Sequence, residues 1–306
     1  MTSPARVDPS AIGSDVARSR KQELARRLGA LVVKLLRLNG GGFLSTEIVQ
    51  QINPVCAIPT TVGTLRCRGG HGRLRWRAET FYSEEPETIR WLEGFGSTDI
   101  FWDVGANVGL YAIYAAKVAR CKVVAFEPEA QNYALLLENI VLNGVQPYVE
   151  ATNLAVTSAL DIGRLHVHAL TKGGAYNRFC VPGNGSTVGA EGLGAPGPVA
   201  QLQIGVSMDE LVGTFGFPPP TQVKIDVDGN EPDIIAGGSR TLSDPRCRSV
   251  LIEVQRGDAE HARMIEQLQG YGFHCLVERS NWESRTDRTR EREHPSTNMI
   301  FSKRSG

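Results

Sequence analysis

The chain is 306 residues long and carries 33 basic and 33 acidic residues, so its formal net charge is zero. A neutral chain has no basic excess to neutralise a nucleic-acid backbone, which disfavours an electrostatically driven DNA or RNA binder. The length predicts one large domain with appendages, or two small domains. Six cysteines, never closer than eleven residues, exclude a CxxC zinc or dithiol motif and favour a reducing compartment.

Residues 1–42 are predicted to form an N-terminal arm. Between Asp15 and Leu38 apolar side chains recur at helical spacing, while seven Lys or Arg residues against two acidic residues make the other face basic. We expect this amphipathic helix to pack on the body of the protein or on a second subunit, as in a homodimer; the alternative is a membrane-surface helix. The most apolar stretch, Leu28 to Leu36, is far shorter than the roughly 20 residues of a transmembrane helix, so we expect a cytoplasmic protein.

Residues 43–98 are expected to hold short β pieces and one helix. The stretches TVGTLRCR and RLRWRAET read as strands. In SEEPETIRWLEGF, Ser83 is a candidate N-cap and Pro86 suits the first helical turn.

Residues 99–306 are predicted to form the main domain, because strands and helices alternate from Asp99 onward. Runs of this kind imply a doubly wound α/β sheet that is mostly parallel. Residues 171–200 interrupt the pattern with eight Gly and three Pro, and we expect a mobile loop that orders over an acceptor.

The turn FWDVGANVG marks a ligand-binding crevice at the carboxyl end of the first strand of this domain. Glu127 ends the next strand, where a carboxylate can accept both hydroxyl groups of a ribose. Asn107 stands where a pyrophosphate-binding GxGxxG motif needs its second glycine, and Asp103 would repel a pyrophosphate. Asp103 would instead attract the ammonium of a methionine group. The charges therefore favour S-adenosyl-L-methionine over NAD.

Several motifs in this order resemble the FkbM family of S-adenosylmethionine-dependent methyltransferases. They are FWDVGANVGLYAIYAAK, VVAFEPEAQNYALLLENIVLNG, NLAV, VSMDEL, VKIDVDGNE and SVLIEV. The similarity covers roughly residues 80–302 and implies a class I methyltransferase (Rossmann-like) sheet of seven strands whose last strand is antiparallel. It also implies O-methylation of a hydroxyl on a sugar or natural-product scaffold.

The resemblance also implies which residues bind the cofactor. Four residues of the first turn would line the methionine end: Asp103, Gly105, Asn107 and Gly109. Glu127 would hold the ribose, and Asn153 to Ala155 would flank the adenine. Glu85 and Thr88 would close over the methionine carboxylate. Asp228 departs from the glutamate that the family more often shows in KIDVEG.

The motif VKIDVDG supplies the catalytic candidates. Lys224, Asp226 and Asp228 alternate along a predicted strand, so they would share one face near its carboxyl end. Asp226 is the first candidate for the base or acceptor-orienting group, although Lys224 and Asp226 could simply pair with each other. Glu253 could face the same crevice, whereas His261 fits a helix surface better than a site.

Two carboxylates could also hold a divalent cation, as in catechol-type O-methyltransferases, but no third oxygen ligand is assured and no metal is expected.

The sequence therefore predicts an S-adenosyl-L-methionine-dependent O-methyltransferase with a small hydroxylated acceptor. The alternative from another class is a non-catalytic scaffold that keeps the cofactor pocket. N-methylation and carboxyl methylation remain open, and fold-level likeness does not name the acceptor.

Overall fold

The computed structural model describes residues 23–24, 27–35, 54–69, 72–181, 199–255, 257–280 and 296–304. The chain divides into two compact units, residues 1–53 and 54–306. In the first unit, residues 23–24 and 27–35 are helical, in agreement with the predicted amphipathic helix. The glycines at 40–42 lie outside the described residues. No helix in the described part of the chain is both long and apolar enough to cross a bilayer.

The second unit begins with a hairpin and three helices. The hairpin pairs strands β1 (Val55–Thr60) and β2 (Gly63–Arg68). The helices are α1 (Gly72–Glu79), α2 (Phe81–Glu84) and α3 (Pro86–Glu93). Pro86 opens α3 as predicted, but its N-cap position is Glu85, because Ser83 already lies inside α2.

The prediction of a strand over RLRWRAET is wrong, because these residues form α1. Their alternation of basic and apolar residues imitates a strand, but only Leu74 is fully buried. Arg75 and Glu79, one helical turn apart, form an ion pair at 2.9 Å. Such pairs stabilise a helix, so the spacing of Arg75 and Glu79 in the sequence was a signal for a helix. The strand-like alternation led to the opposite assignment.

A seven-stranded sheet forms the centre of the unit. Its strands are β3 (Ile100–Val104), β4 (Lys122–Phe126), β5 (Val149–Thr152), β10 (Gln222–Ile225), β11 (Ser249–Gln255), β12 (Phe273–Ser280) and β13 (Ser296–Lys303). The order across the sheet is β12-β13-β11-β10-β3-β4-β5. β13 runs antiparallel to both of its neighbours, β11 and β12, and the other six strands all run in one direction. The prediction of an antiparallel last strand is therefore confirmed.

Helices cover both faces of this sheet. They are α4 (Leu110–Ala119), α5 (Ala130–Asn143), α6 (Met208–Gly213), α7 (Glu231–Ala236), α8 (Ser239–Ser243) and α9 (Ala259–Gly270). Successive side chains of β3 serve opposite layers: Phe101 packs with α4 and α5, and Trp102 with α6 to α9. Burial on both faces explains why β3 and β4 are mostly apolar.

A second, four-stranded sheet lies between β5 and β10 in the chain. It contains β6 (Ala155–Thr157), β7 (Asp161–Val167), β8 (Arg178–Cys180) and β9 (Val199–Ser207), in the order β6-β9-β7-β8. The sequence predicted one strand over YVEATNLAV, but Asn153 and Leu154 divide it between the two sheets. Residues 178–180 and 199–200 of the predicted Gly-rich loop are strand, and residues 182–198 lie outside the described part.

Two asparagines of the ENIVLNG motif attach the hairpin to α5. The amide oxygen of Asn139 accepts a hydrogen bond from the backbone N–H of Arg68 at 2.7 Å, and that of Asn143 accepts from Arg66 at 2.9 Å. Asn139 also donates to the carbonyl of Val108 at 2.9 Å, in the turn that follows β3. The same side chain therefore links the hairpin to the predicted cofactor turn.

Gly105 fixes the approach of that turn to β10, and we predict that it tolerates no side chain. Its φ is 85°, and a Cβ there would lie 1.9 Å from the carbonyl oxygen of Asp226. Gly105→Ala should cost about 2–5 kcal/mol of unfolding free energy, from left-handed strain and overpacking. Gly144→Ala is the control, because Gly144 has φ 66° with open space around it and should show the strain alone, about 1–2 kcal/mol. Equal losses for the two variants in urea denaturation would contradict the close approach.

Candidate functional site

The site lies where the strand order of the large sheet reverses. The chain proceeds outward from β3 to β4 and β5, then returns to β10 and β11 on the other side of β3. The carboxyl ends of β3 and β10 therefore flank a crevice of the kind that binds ligands in open α/β sheets. The turn after β3 forms its floor, and three of its residues have left-handed backbone: Gly105, Asn107 and Gly109.

Glu127 lies beside this turn at the end of β4. Its side chain is buried, and its two carboxylate oxygens accept hydrogen bonds from the backbone N–H groups of Asn107 at 2.8 Å and Glu129 at 2.9 Å. Burial raises the pKa of Glu127 to about 7. The Asn132 side chain also donates to this carboxylate, and an ionised carboxylate has about four acceptor positions, so Glu127 keeps acceptor capacity for a further donor.

A largely apolar pocket opens on one side of Gly105. Phe126, Leu154, Ala155 and Phe179 line it, together with Val227. Of the two residues predicted to flank an adenine, Ala155 lines this pocket, whereas Asn153 is exposed and its carbonyl accepts a hydrogen bond from Gln203.

A larger pocket opens on the other side of the turn, with about 690 Å³ of empty space that is partly open to solvent. It is lined by Gly105 and Asn107, by the start of α4, by side chains of α1 and α2, and by four charged groups that the sequence predicted: Glu85, Lys224, Asp226 and Asp228. Trp76 and Arg77 of α1 also line it. The sequence reasoning missed these two residues because it assigned α1 as a strand.

A buried ammonium group organises the polar end of this pocket. Lys224 is 2% exposed, and its Nζ donates to Asp226 Oδ2 at 2.7 Å. Burial alone would lower the pKa of Lys224, but the carboxylates of Asp226, Asp103 and Glu85 outweigh it and raise the pKa above its ordinary value. The Tyr111 ring centroid lies 5.2 Å from the same Nζ. The predicted pairing of Lys224 with Asp226 is thus present, but it occurs at the rim of a pocket rather than in a sealed core.

Asp103 stands opposite Lys224 in the parallel register of β3 and β10. Its side chain is 1% exposed, and neither carboxylate oxygen has a hydrogen-bond partner among the described residues. Burial raises the pKa of Asp103 to about 6, against the opposing effect of Lys224. A buried carboxylate without donors is costly, which is typical of a group retained for binding or catalysis.

Glu85 and Thr88 of the lead-in region play different roles. Glu85 lines the larger pocket, and burial raises its pKa. Thr88 is fully buried, and its hydroxyl donates to Glu85 Oε2 at 3.0 Å. Thr88 therefore orients Glu85 rather than facing the pocket itself.

The backbone beyond β10 differs from the prediction. The strand ends at Ile225, so Asp226 and Asp228 lie on the loop that follows it. Asp228 has a left-handed φ of 60°, and its Oδ2 accepts a hydrogen bond from the backbone N–H of Tyr176 at 2.5 Å. Burial raises the pKa of Asp228 to about 6. Both aspartates still line the larger pocket, because the loop continues along the crevice.

Residues 171–181 approach the site and are held there by hydrogen bonds. The carbonyl of Gly174 accepts from Asn107 Nδ2 at 2.7 Å and from Asn132 Nδ2 at 3.2 Å. Asn230 accepts from the N–H of Phe179 and donates to its carbonyl, each at 3.1 Å. This part of the predicted mobile loop is therefore tied to the turn that follows β3 and to the start of α7.

Glu253 and His261 differ in their surroundings. Burial, together with the weaker effect of the Asp226 carboxylate, raises the pKa of Glu253 to about 8. His261 lies on α9 and is buried, and its Nδ1 accepts the N–H of Gln255 at 3.0 Å, which gives it a structural role. No group of three or more His, Cys, Asp or Glu suited to a metal ion occurs within the described ranges.

The comparison with known families bears directly on this crevice. The pattern of the methyltransferase FkbM domain matches residues 103–275, from Asp103 at the cofactor turn to β12. The chain belongs to the FkbM methyltransferase family. The resemblance drawn from the motifs is therefore confirmed, and so is the class I methyltransferase sheet.

Two curated methyltransferases are similar to this chain in sequence. The hexuronic acid methyltransferase AglP of Haloferax volcanii is 26% identical over 183 residues, which are 60% of this FkbM-family chain and 66% of that protein, just under two thirds. The 31-O-demethyl-FK506 methyltransferase FkbM of Streptomyces tacrolimicus is 25% identical over 196 residues, 59% of this chain and 74% of that protein.

Among solved structures, methyltransferase FkbM from Methylobacillus flagellatus KT is 15% identical, and the alignment covers 67% of this chain and 44% of that one with a TM-score of 0.39. The fold is assigned from the strand order of the protein itself.

Removing the central ammonium should destabilise the protein in a pH-dependent way. Lys224→Met leaves Asp103, Glu85 and Asp226 without their buried cation, at a cost of about 3–5 kcal/mol near pH 8. A carboxyl group whose folded pKa is raised contributes stability below its unfolded pKa and loses it as the pH rises through the folded pKa. Losing the cation raises the pKa values of Asp103 and Glu85 further, so the deficit should grow from pH 5 to pH 8.

Urea denaturation at several pH values measures that deficit. Lys122→Met, which removes an exposed lysine from the first position of β4, is the matched control and should change little. A deficit that does not depend on pH would contradict this role of Lys224.

Proposed function

We propose that the protein is an S-adenosyl-L-methionine-dependent O-methyltransferase that acts on a hydroxyl group of a sugar or natural-product scaffold. The observation that carries the proposal is the turn after β3 in the crevice of an FkbM-family sheet, where Gly105 lines two pockets and the N–H of Asn107 is hydrogen-bonded to Glu127. One pocket suits a flat apolar ring, and the other is rich in carboxylates.

The residues of the crevice fit this cofactor. The apolar pocket lined by Leu154, Ala155 and Phe179 would take the adenine, and the remaining acceptor capacity of Glu127 would take a ribose hydroxyl. The acidic end of the larger pocket would take the methionine ammonium. This is supported by the charges at that end, where the carboxyl groups of Asp226, Asp103 and Glu85 share the ammonium of Lys224.

S-adenosyl-L-methionine would supply the methyl group, carried on its positively charged sulfonium. The protein would hold the acceptor hydroxyl in line with that group, which is a large part of the acceleration expected for such a displacement. Asp226 is the group proposed to orient the hydroxyl and take its proton, because its carboxylate lines the larger pocket and is about one-third exposed. Lys224, at 2.7 Å, would fix its direction.

The choice of an oxygen acceptor is supported by the Streptomyces tacrolimicus relative, and the choice of a sugar by the Haloferax volcanii relative. The Haloferax volcanii protein is named for hexuronic acid, and the Streptomyces tacrolimicus protein for the 31-O position of a demethylated FK506. A sugar or macrolide hydroxyl is a poor nucleophile, which agrees with a carboxylate at the reacting end of the pocket. No divalent cation is part of the proposal, and unchanged turnover in chelator is the expected result.

Two substitutions should separate cofactor binding from transfer. Glu127→Ala should weaken binding of S-adenosylhomocysteine by about 10- to 100-fold, because hydrogen bonds to a buried carboxylate are lost. Glu150→Ala, on exposed β5 surface, is the control. Asp226→Asn should keep that affinity while kcat falls. Wild-type protein that binds S-adenosylhomocysteine but transfers no methyl group to any hydroxylated acceptor would favour the non-catalytic scaffold.

The affinity for S-adenosylhomocysteine should also depend on pH. The ionised form of Glu127 accepts hydroxyl donors, and its pKa of about 7 means that protonation competes near neutrality. Affinity should therefore rise as the pH increases from 6 to 8, and Glu127→Gln should remove the step near pH 7. A step of the same size in Glu127→Gln, measured by calorimetry, would assign the titration to another group.

A further inference from the structure

Arg77 of α1 points into the larger pocket with an unsatisfied donor. Leu74 is buried against the core and lies three residues earlier, so the two side chains share one face of the helix. Arg77 lines the pocket, and its Nε is buried without a hydrogen-bond partner among the described residues. A buried guanidinium N–H without an acceptor is unfavourable, which indicates that an acceptor completes this position in the bound state.

The two cations of this pocket have different surroundings. Lys224 is committed to Asp226 at 2.7 Å and is closed off from solvent. Arg77 acts on the opposite side, where its positive charge lowers the pKa of Asp228 against the larger effect of burial. The Asp228 carboxylate accepts the backbone N–H of Tyr176 and is not an acceptor for the buried Nε. An anion that enters the pocket would therefore meet Arg77 before any other available cation of the described lining.

We propose that Arg77 binds a carboxylate group of a small molecule held in the larger pocket. The inference rests on the proposed function, and it gives a binding role to a residue that lies outside the FkbM-family motifs of the sequence. A carboxylate fits because the planar guanidinium presents parallel N–H donors to two oxygens. Two molecules bring such a group: the cofactor, through its methionine carboxylate, and an acidic acceptor such as a uronic acid.

The affinities for two nucleosides show whether the cofactor or an acidic acceptor supplies the carboxylate. S-adenosylhomocysteine carries the amino-acid carboxylate, and 5′-methylthioadenosine has the same nucleoside without it. If the cofactor supplies the carboxylate, Arg77→Gln raises the Kd for S-adenosylhomocysteine by about 10- to 100-fold and leaves that for 5′-methylthioadenosine unchanged. Arg77→Lys, which keeps the charge and loses the fork, gives an intermediate value.

If an acidic acceptor supplies the carboxylate, both nucleosides bind to Arg77→Gln as they do to wild type. The difference then appears with D-glucuronate as the probe, titrated into protein saturated with S-adenosylhomocysteine, with D-glucose as the neutral comparison. Wild type binds glucuronate more tightly than glucose, and Arg77→Gln abolishes that preference.

Arg75→Gln is the matched control, because it removes the same charge from the same helix. Arg75 is exposed and paired with Glu79, and it lies outside the pocket lining, so both Kd values stay at wild-type levels. The proposal is overturned if Arg77→Gln matches wild type with S-adenosylhomocysteine and shows no loss of a glucuronate preference. A wild-type protein that binds neither nucleoside instead overturns the proposed cofactor, which keeps the two failures distinguishable.

Discussion

The buried ammonium of Lys224 is the interaction on which the rest of the site depends. It reaches from β10 toward Asp103 of β3, pairs with Asp226 beyond the strand, and lies close enough to Glu85 to influence its ionisation. Three carboxylates gathered without it would repel one another in a poorly solvated space. With it, the protein can keep a concentration of negative charge at the reversal point of the sheet. This negative charge would attract the positively charged sulfonium and ammonium groups of S-adenosyl-L-methionine, and it would repel a pyrophosphate.

Backbone geometry supplies the second constraint. Gly105, Asn107 and Gly109 turn the chain sharply after β3, and the missing Cβ of Gly105 leaves room for the Asp226 carbonyl oxygen, which would lie 1.9 Å from a Cβ placed there. The turn is then held from three directions, by Glu127 of β4, by Asn139 of α5 and by the carbonyl of Gly174. Its conformation is therefore determined by the surrounding elements rather than by the turn sequence alone. Such preorganisation lowers the cost of ordering the loop when a ligand binds.

The sequence was most informative where the pattern was local and strongly periodic. The central strands, α4 and α5 follow from apolar runs, the antiparallel last strand from the resemblance to the FkbM family, and the candidacy of Glu127 and Asp226 from their positions near strand ends. The strand assigned to RLRWRAET failed because basic and apolar residues alternated by coincidence on a helix whose burial is decided by Leu74. The second sheet was not foreseen in full either, because its four short strands pair across distant parts of the chain. The role of Gly174 was also invisible, since the side chains that hold its carbonyl come from residues 107 and 132.

The asparagines that attach the hairpin have a consequence for how the protein behaves among its own copies. In β2, the backbone groups of Arg66 and Arg68 that face away from β1 are bonded by the side chains of Asn139 and Asn143. A strand edge with open N–H and C=O groups is a template for pairing with another chain. Here amide side chains occupy those groups as a neighbouring strand would, so this edge of the hairpin is protected from intermolecular β-sheet growth without the addition of a further strand.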